Sequence, residues 1–389
     1  MATNRSKLSV NGLDFDDIKT NLKQYLQTQD QFKDYDFEGS GLNILLDILA
    51  YNTHYQAFYA NQVANETFLD SCKIEESAIS IAKHLDYIPR SYKSAVAYVN
   101  VEFFNLSNSI QEAIKNGSGY YITKGDAFSC KDGSGNTLTF LATDSFEVKF
   151  KDNRYIAENV EIKEGTYKTI TYVINNENES IRYSIPDENV DISTLTVRIQ
   201  NSIEDNTGST ILWTEVTDLN KLSADSTSYF IQKYENKYEV YFGDGVVGKQ
   251  PDTGNVLTLK YLISLGEEGN NIGKNETSTN KTFTYLSNAN SKTSLVLDSN
   301  GEYTPSYGGS SSETIESIKY YAPRNYQAQE RAVTAEDYRT LLARQYGEQA
   351  ESVFVWGGED NDPPIYGKVF ISIKPNGAQK YTSSQKLSI

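Results

Sequence analysis

Histidine, cysteine and methionine are nearly missing from this chain of 389 residues, which holds two, two and one of them. The cysteines, Cys72 and Cys130, lie in segments of unlike character. They leave no room for a disulfide framework and fit a reducing compartment. The histidines, His54 and His84, have no Cys or carboxylate at ligand spacing beside them, so the sequence offers no metal site. Neither lies near the strained G-x-S-x-G turn that a serine nucleophile needs. Spacing does not mark a glycosidase carboxylate pair, and the acids read as solvated. Nothing asks for catalysis or for a cofactor. No run is long and apolar enough to cross a bilayer. The start, MATNRSKLSVNG, lacks the apolar stretch of a signal peptide, so synthesis and folding in the cytoplasm follow. Bases number 36 against 52 acids, a net charge of −16. Without a basic run this balance excludes wrapping nucleic acid.

Tyrosine, by contrast, is plentiful, with 29 copies, and its apolar ring with a polar tip suits protein interfaces. A hydrophobic share of 38% with 23% charged residues fits a folded chain. The length suggests two or three domains.

The organising stretch is Gly41–Leu69, GLNILLDILAYNTHYQAFYANQVANETFL, which the pattern predicts as one long helix. At about 100° per residue its polar positions Asn43, Asp47, His54, Asn61 and Asn65 form a narrow stripe. Leu42, Leu45, Leu49, Tyr59 and Val63 make one apolar seam, and Ile44, Ile48, Tyr51, Tyr55 and Phe58 a second. A helix on the surface of a monomer needs only one. The bland alternative is the central helix of an ordinary domain. The sharper one is a helix shared between subunits, with Leu42, Leu45, Ile48, Leu49, Tyr51, Asn52, Tyr55, Phe58, Tyr59 and Val63 as the partner interface.

Around it the sequence predicts an α+β chain in three parts. Residues 1–93 are a helical module. Asp14 caps a first helix with Phe15, Ile18, Leu22 and Tyr25 or Leu26 on one face. Ile74, Ala78, Ile81, Leu85 and Ile88 stripe a third helix that Pro89 stops. Residues 94–303 are a β-rich middle of short alternating runs, from AVAYVNVEFF to KTFTYL, forming more than one small antiparallel sheet. Residues 275–282 read as a loop and 303–313 as a flexible connection. Residues 312–389 are an α+β unit. A helix capped by Ser312 ends at Pro323, and a second is capped by Thr334 with Asp337 in a capping-box variant. There Val333 is expected to pack against Tyr338 as a staple, and Tyr338, Leu341, Leu342 and Tyr346 to be buried. Two strands follow, 351–356 and 366–375, and SSQKLSI reads as a helix just starting, so the unit looks cut off at its end.

The stretch Gly243-Asp244-Gly245-Val246-Val247-Gly248-Lys249-Gln250 matches G-x-G-x-x-G and most of a phosphate loop. Both require a helix directly after the glycines. Here Gln250-Pro251-Asp252-Thr253-Gly254 and then the apolar run VLTLKYLI follow, and Gln250 stands where a magnesium-holding Ser or Thr belongs. The pattern instead predicts a hairpin with a type I′ turn at Asp244-Gly245 and Gly245 at positive φ.

Two regions carry a resemblance: the helical block from DFEGSGLNILL to LDYIPRS, and YEVYFGDGVVGKQPDTGNV with AP(x)7ERAVTAEDYRTLLARQYG and the strands around VWGG and YGKVFISIKP. Together they resemble the baseplate J-like family, and within it the ring-forming baseplate wedge proteins of contractile-tailed bacteriophages, over residues of about 14–375. The resemblance implies a non-enzymatic structural protein of the virion tail baseplate, assembled in the host cytoplasm. It implies as partners a second copy of the chain and other baseplate wedge subunits, whose helices share a bundle. Wedges then link around the central hub and tail tube into a ring and help to trigger sheath contraction. It implies neither nucleic acid nor membrane as partner. The family's proteins extend further at the C-terminus. Two alternatives stand beside it: a homologous scaffold of a cellular contractile injection system, and a β-rich glycan-binding module.

Overall fold

The computed structural model describes residues 14–375 apart from 118, 176–180, 206, 208, 217–221, 274–282, 298–302, 330 and 347–349. The expected loop at 275–282 and the helix start at SSQKLSI lie outside the described residues. The chain divides into two compact units, Met1–Leu85 and Asp86–Ile389.

The first unit is helical. Helix α1 (Phe15–Gln27) begins at Asp14, whose carboxylate accepts the Phe15 N–H at 2.7 Å. The acids Asp16 and Asp17 sit in its first turn, where the helix dipole favours negative charge. It packs on α2 (Leu42–Glu66), with Ile18 buried and an ion pair from Lys19 to Asp47. Helix α3 (Glu75–His84) has no side-chain cap from its own N-cap residue. The Glu66 carboxylate, at the end of α2, instead accepts the N–H groups of Lys73 and Ile74 at 2.9 and 3.2 Å. Ala78, Ile79 and Ala82 are its buried face. The sequence carried this helix to Pro89, but it ends four residues sooner than Ile88. Leu85 is the C-cap and Asp86 turns left-handed at φ 54°, which breaks the ladder before proline can.

The second unit holds two seven-stranded sheets. The first runs in the order Thr284–Tyr285, Ala127–Lys131, Thr137–Ala142, Arg154–Glu164, Val96–Phe103 and Ser291–Leu295, with Lys149–Lys151 also on Arg154–Glu164. Ala97, Val99, Val101 and Phe103 face its core, as alternation predicts. Helix α4 (Asn108–Lys115), unread in the sequence, lays Ile110 and Ile114 against that core. The second runs Thr166–Val173, Val256–Ile263, Val190–Gln200, Thr210–Glu215, Ser228–Tyr234, Lys237–Phe242 and Tyr183–Ile185. Its two outer strands meet: the Tyr172 hydroxyl donates to the Ser184 carbonyl at 2.5 Å, and the Tyr172 and Tyr183 rings lie 5.5 Å apart. The sheet thereby curls into a barrel-like form around Val197, Leu257, Leu259 and Tyr261.

One residue, Gly165, separates strand Arg154–Glu164 of the first sheet from strand Thr166–Val173 of the second. Its N–H donates to the Thr139 carbonyl at 3.0 Å, and its φ is +129°. Beside it Glu164 is buried, accepting from the Ser264 hydroxyl at 2.6 Å and the Leu265 N–H at 3.0 Å. Burial holds its carboxyl above the ordinary carboxylate value, with the negative charges of Asp191 and Glu268 adding to the effect. A carboxyl whose folded value is raised favours the fold below its ordinary range and loses that contribution as pH rises past the folded value. Glu164→Gln keeps an oxygen for both donors. The variant is expected to gain on the wild type between pH 4 and pH 8 in urea-unfolding midpoints. Parallel profiles for the two proteins would rule this out.

Loop Gly243–Asn255 departs from the expected hairpin. Strand Lys237–Phe242 pairs with Ser228–Tyr234 and Tyr183–Ile185, whereas Val256–Ile263 pairs with Val190–Gln200 and Thr166–Val173. Gly245 does have positive φ, 86°, but Asp244 is not among the residues that do, so the turn is not type I′. The Asp244 carboxylate instead accepts the N–H groups of Val246 and Val247, both at 2.9 Å. Those bonds hold its carboxyl below the usual carboxylate value. The glycines lead into a loop and a strand, so no helix N-terminus stands where a phosphate would sit.

Residues 303–313, expected to be flexible, are tied down. Ser306, Ser310 and Glu313 are buried, and the stretch bridges Lys93, Val96 and Leu297. Helix α5 (Ile315–Ala328) is capped by Thr314, not Ser312, and runs through Pro323 to a left-handed Gln329. Proline removes one N–H from the ladder and disfavours a helix interior. Burial of Ile318, Ala322, Asn325 and Ala328 along one face accounts for the helix continuing past it. Helix α6 (Ala335–Tyr346) carries the expected capping box. The Asp337 N–H donates to Thr334 Oγ1 at 3.2 Å, and the Thr334 N–H to Asp337 Oδ2 at 2.8 Å. The staple is absent, because Val333 is 80% exposed. Tyr338, Leu341 and Leu342 are half-buried, and the side chain of Tyr346 lies outside the described residues. Thr334→Ala is expected to cost about 1 kcal/mol, seen as faster amide exchange in the first turn of α6. Unchanged exchange there would show that the cap is idle. Strands Ala350–Gly357 and Val369–Pro375 then pair antiparallel.

Candidate partner interface

Helix α2 folds with its pattern turned inside out. Its buried residues are Leu46, Ala50 and Ala57. Two alanines let a neighbouring backbone approach closely while burying little apolar surface. The polar stripe lies on the same side: Asn43, Asp47, His54, Asn61 and Asn65 are all half-buried. The amide of Asn65 donates to the Asn61 carbonyl at 2.6 Å, and Asp47 has Lys19.

Both apolar seams point away from this unit's interior. Leu45, Ile48, Leu49, Tyr51, Phe58, Tyr59 and Val63 are each more than half exposed, with Tyr55 at 41%. Asn52 is exposed as well, and of the residues expected at the interface only Leu42 is half-buried. The sequence read Ile44 into a seam but left it off the interface; it is 65% exposed. Phe68, read into neither seam, and Ile74, read instead into the stripe of the third helix, extend the same exposed apolar character past the helix end, at 56% and 44%. Ile74 stands at the N-cap of α3 and so lies outside the face that buries Ala78, Ile79 and Ala82.

The exposed aromatics are ordered among themselves. The rings of Tyr51 and Tyr55 lie 4.6 Å apart at 61°, Tyr55 and Tyr59 6.3 Å apart, and Phe58 and Tyr59 5.9 Å apart. The Tyr51 hydroxyl donates to that of Tyr55 at 3.0 Å, which raises the Tyr51 value above that of an ordinary tyrosine. The Tyr51 phenol therefore stays neutral at physiological pH. A neutral, pre-ordered aromatic row with polar tips has the chemistry of a protein-binding surface. Scattered apolar side chains are normal on a surface, but a contiguous row of this size is not.

Other chemistry has less support. Among the described residues no three His, Cys, Asp or Glu side chains group to hold a metal, and no helix is long and apolar enough to cross a membrane.

Comparison with known proteins matches two stretches of the chain. Residues 14–87 match the helical domain described as baseplate wedge protein gp6-like, and residues 334–389 match C-terminal domain I of the baseplate structural protein gp6. The chain is 27% identical over 396 aligned positions to the baseplate wedge protein gp6 of Enterobacteria phage T4. That alignment covers 96% of this chain and 56% of the relative, so the chain spans little more than half of the relative's length. A chain in the cryo-EM structure of the anti-feeding prophage baseplate aligns over 95% of this chain and 72% of its own length, with 14% identity and a TM-score of 0.32. The two matched stretches and the T4 relative bear out the resemblance to baseplate wedge proteins drawn from the sequence, and the matched helical domain contains the exposed seams of α2.

Proposed function

We propose that this chain, similar along its length to baseplate wedge proteins, is a structural subunit of a contractile-tail baseplate that joins its neighbours through α2. The observation that carries the proposal is the exposure of both apolar seams of that helix while its polar stripe faces inward. Covering a large apolar side chain contributes about 1.5–3 kcal/mol, so a row of such residues needs partner helices on two sides. Those partners are a second copy of the chain and other wedge subunits, and the wedges so formed surround the central hub and tail tube as a ring. The role is scaffolding without catalysis, in the virion tail, with assembly in the host cytoplasm. Rearrangement of the ring would then release the sheath.

The test is coexpression with the other wedge subunits of the same tail, followed by size exclusion and cross-linking. Complex formation with cross-links from the segment 42–68 supports the proposal. A complex held only through residues 86–375, with α2 still open to solvent labelling, would overturn the role given to α2.

A further inference from the structure

The chain enters its β region along residues 86–96 and leaves it along 303–313, and these two stretches run antiparallel. Val96 and Tyr307 exchange N–H to carbonyl bonds at 2.8 and 2.9 Å, Lys93 and Ser310 do so at 3.0 Å each way, and the Glu313 N–H donates to the Arg90 carbonyl at 3.1 Å. The ribbon ends at Glu313, whose side chain is fully buried. Its carboxylate accepts the Tyr87 hydroxyl at 2.9 Å on each oxygen, the Arg90 N–H at 3.0 Å and the Ser317 hydroxyl at 2.5 Å. The Arg90 guanidinium lies 3.7 Å from Glu313, donates to Ser317 Oγ at 3.2 Å and sits over the Tyr321 ring at 5.6 Å. Residues 313, 317 and 321 are spaced by four, so Arg90 runs along one face of α5 through its first two turns.

We propose that Tyr87, Arg90 and Glu313 form a latch that couples opening of the entry stretch 87–93, itself held to the second sheet by the Tyr238 hydroxyl on the Pro89 carbonyl and the Ile192 N–H on Ser91 Oγ, to opening of the first turns of α5. A buried carboxylate tolerates no half-open state. Losing its donors on one side leaves an under-solvated charge that destabilises the contacts on the other. The grip is therefore all or none, and polar networks of this kind couple their members. A displacement imposed at residues 86–90 reaches α5 through this latch directly.

Amide exchange of the full chain, followed by mass spectrometry, tests the latch. Tyr87→Phe removes one donor on the entry side, and Ser317→Ala removes one on the helix side. Each is expected to speed exchange about tenfold in both 87–93 and 315–322, leaving 127–131 in the first sheet and 256–263 in the second unchanged. Glu313→Gln should do the same more strongly, and the two milder variants carry the test should it not fold. Acceleration confined to the substituted side, equal acceleration in the sheets, or no acceleration in any variant would each overturn the latch.

Discussion

Replacing Tyr55 and Phe58 together by aspartate is expected to leave the isolated chain folded and to stop it joining other wedge subunits. Both side chains are already open to solvent, at 41% and 58%, so the folded chain alone loses little by the change. In an assembled bundle each would contribute about 1.5–3 kcal/mol of burial, and each aspartate would add the cost of placing a charge in an apolar contact. The combined loss is roughly 3–6 kcal/mol before that cost is added, which weakens association at least about a hundredfold. Co-purification of the wedge subunits measures it, with circular dichroism and thermal unfolding of the mutant alone as controls. Normal assembly by the double mutant would return this face of α2 to solvent.

The largest effect on folding is expected at Gly165. A side chain there meets two obstacles: φ is +129°, and a Cβ would lie 2.4 Å from the Ile263 carbonyl oxygen. Backbone does not move aside cheaply at the join of two sheets, so Gly165→Ala is expected to cost about 3 kcal/mol or more. Gly133 provides the contrast, since nothing lies within 4 Å of its Cβ position. Gly133→Ala should stay within about 0.5 kcal/mol of wild type. Urea unfolding of both variants decides it, and equal midpoints would mean that the crossover relaxes around a methyl group.

The sequence made the regular parts legible and hid the irregular ones. Alternation found Val96–Phe103 and Val256–Ile263 because every second residue joins the core along them, Ala97, Val99, Val101 and Phe103 in one and Leu257, Leu259 and Tyr261 in the other. It failed on Arg154–Glu164, where Val99 opposes Val160 but Val101 opposes Ala157. One extra residue fits there: Asn159 turns left-handed at φ 54°, and its N–H donates to Asn100 Oδ1 at 2.9 Å. Core-facing positions therefore switch from odd to even numbers mid-strand, and the period-two signal cancels. The hairpin read at Asp244-Gly245 failed for another reason. Local turn chemistry specified a tight loop but not which strands its ends would pair with, and these pairings are long-range. At the interface the seams of α2 were legible from helical period, whereas the inward turn of the polar stripe was not. That turn depends on which elements pack along α2, α1 among them with Lys19 paired to Asp47, a choice between faces that the period alone does not make.

The bare row on α2 bears on the life of the chain before it meets the partners proposed for it. A lone copy with this row exposed is prone to wrong encounters, and the time spent unpartnered becomes the quantity that matters. The formal charge of −16 works against encounters between identical copies, because like-charged chains repel over about 8 Å in physiological salt. Within α2 itself the charged residues are Asp47 and Glu66, both acidic, so the repulsion is not relieved at the row. A barrier that salt lowers thus slows encounters between copies, the pairing proposed for this row included. On the function proposed above, supply of the neighbouring subunits in step with this one would set the yield of assembled tails more than the subunit's own stability does.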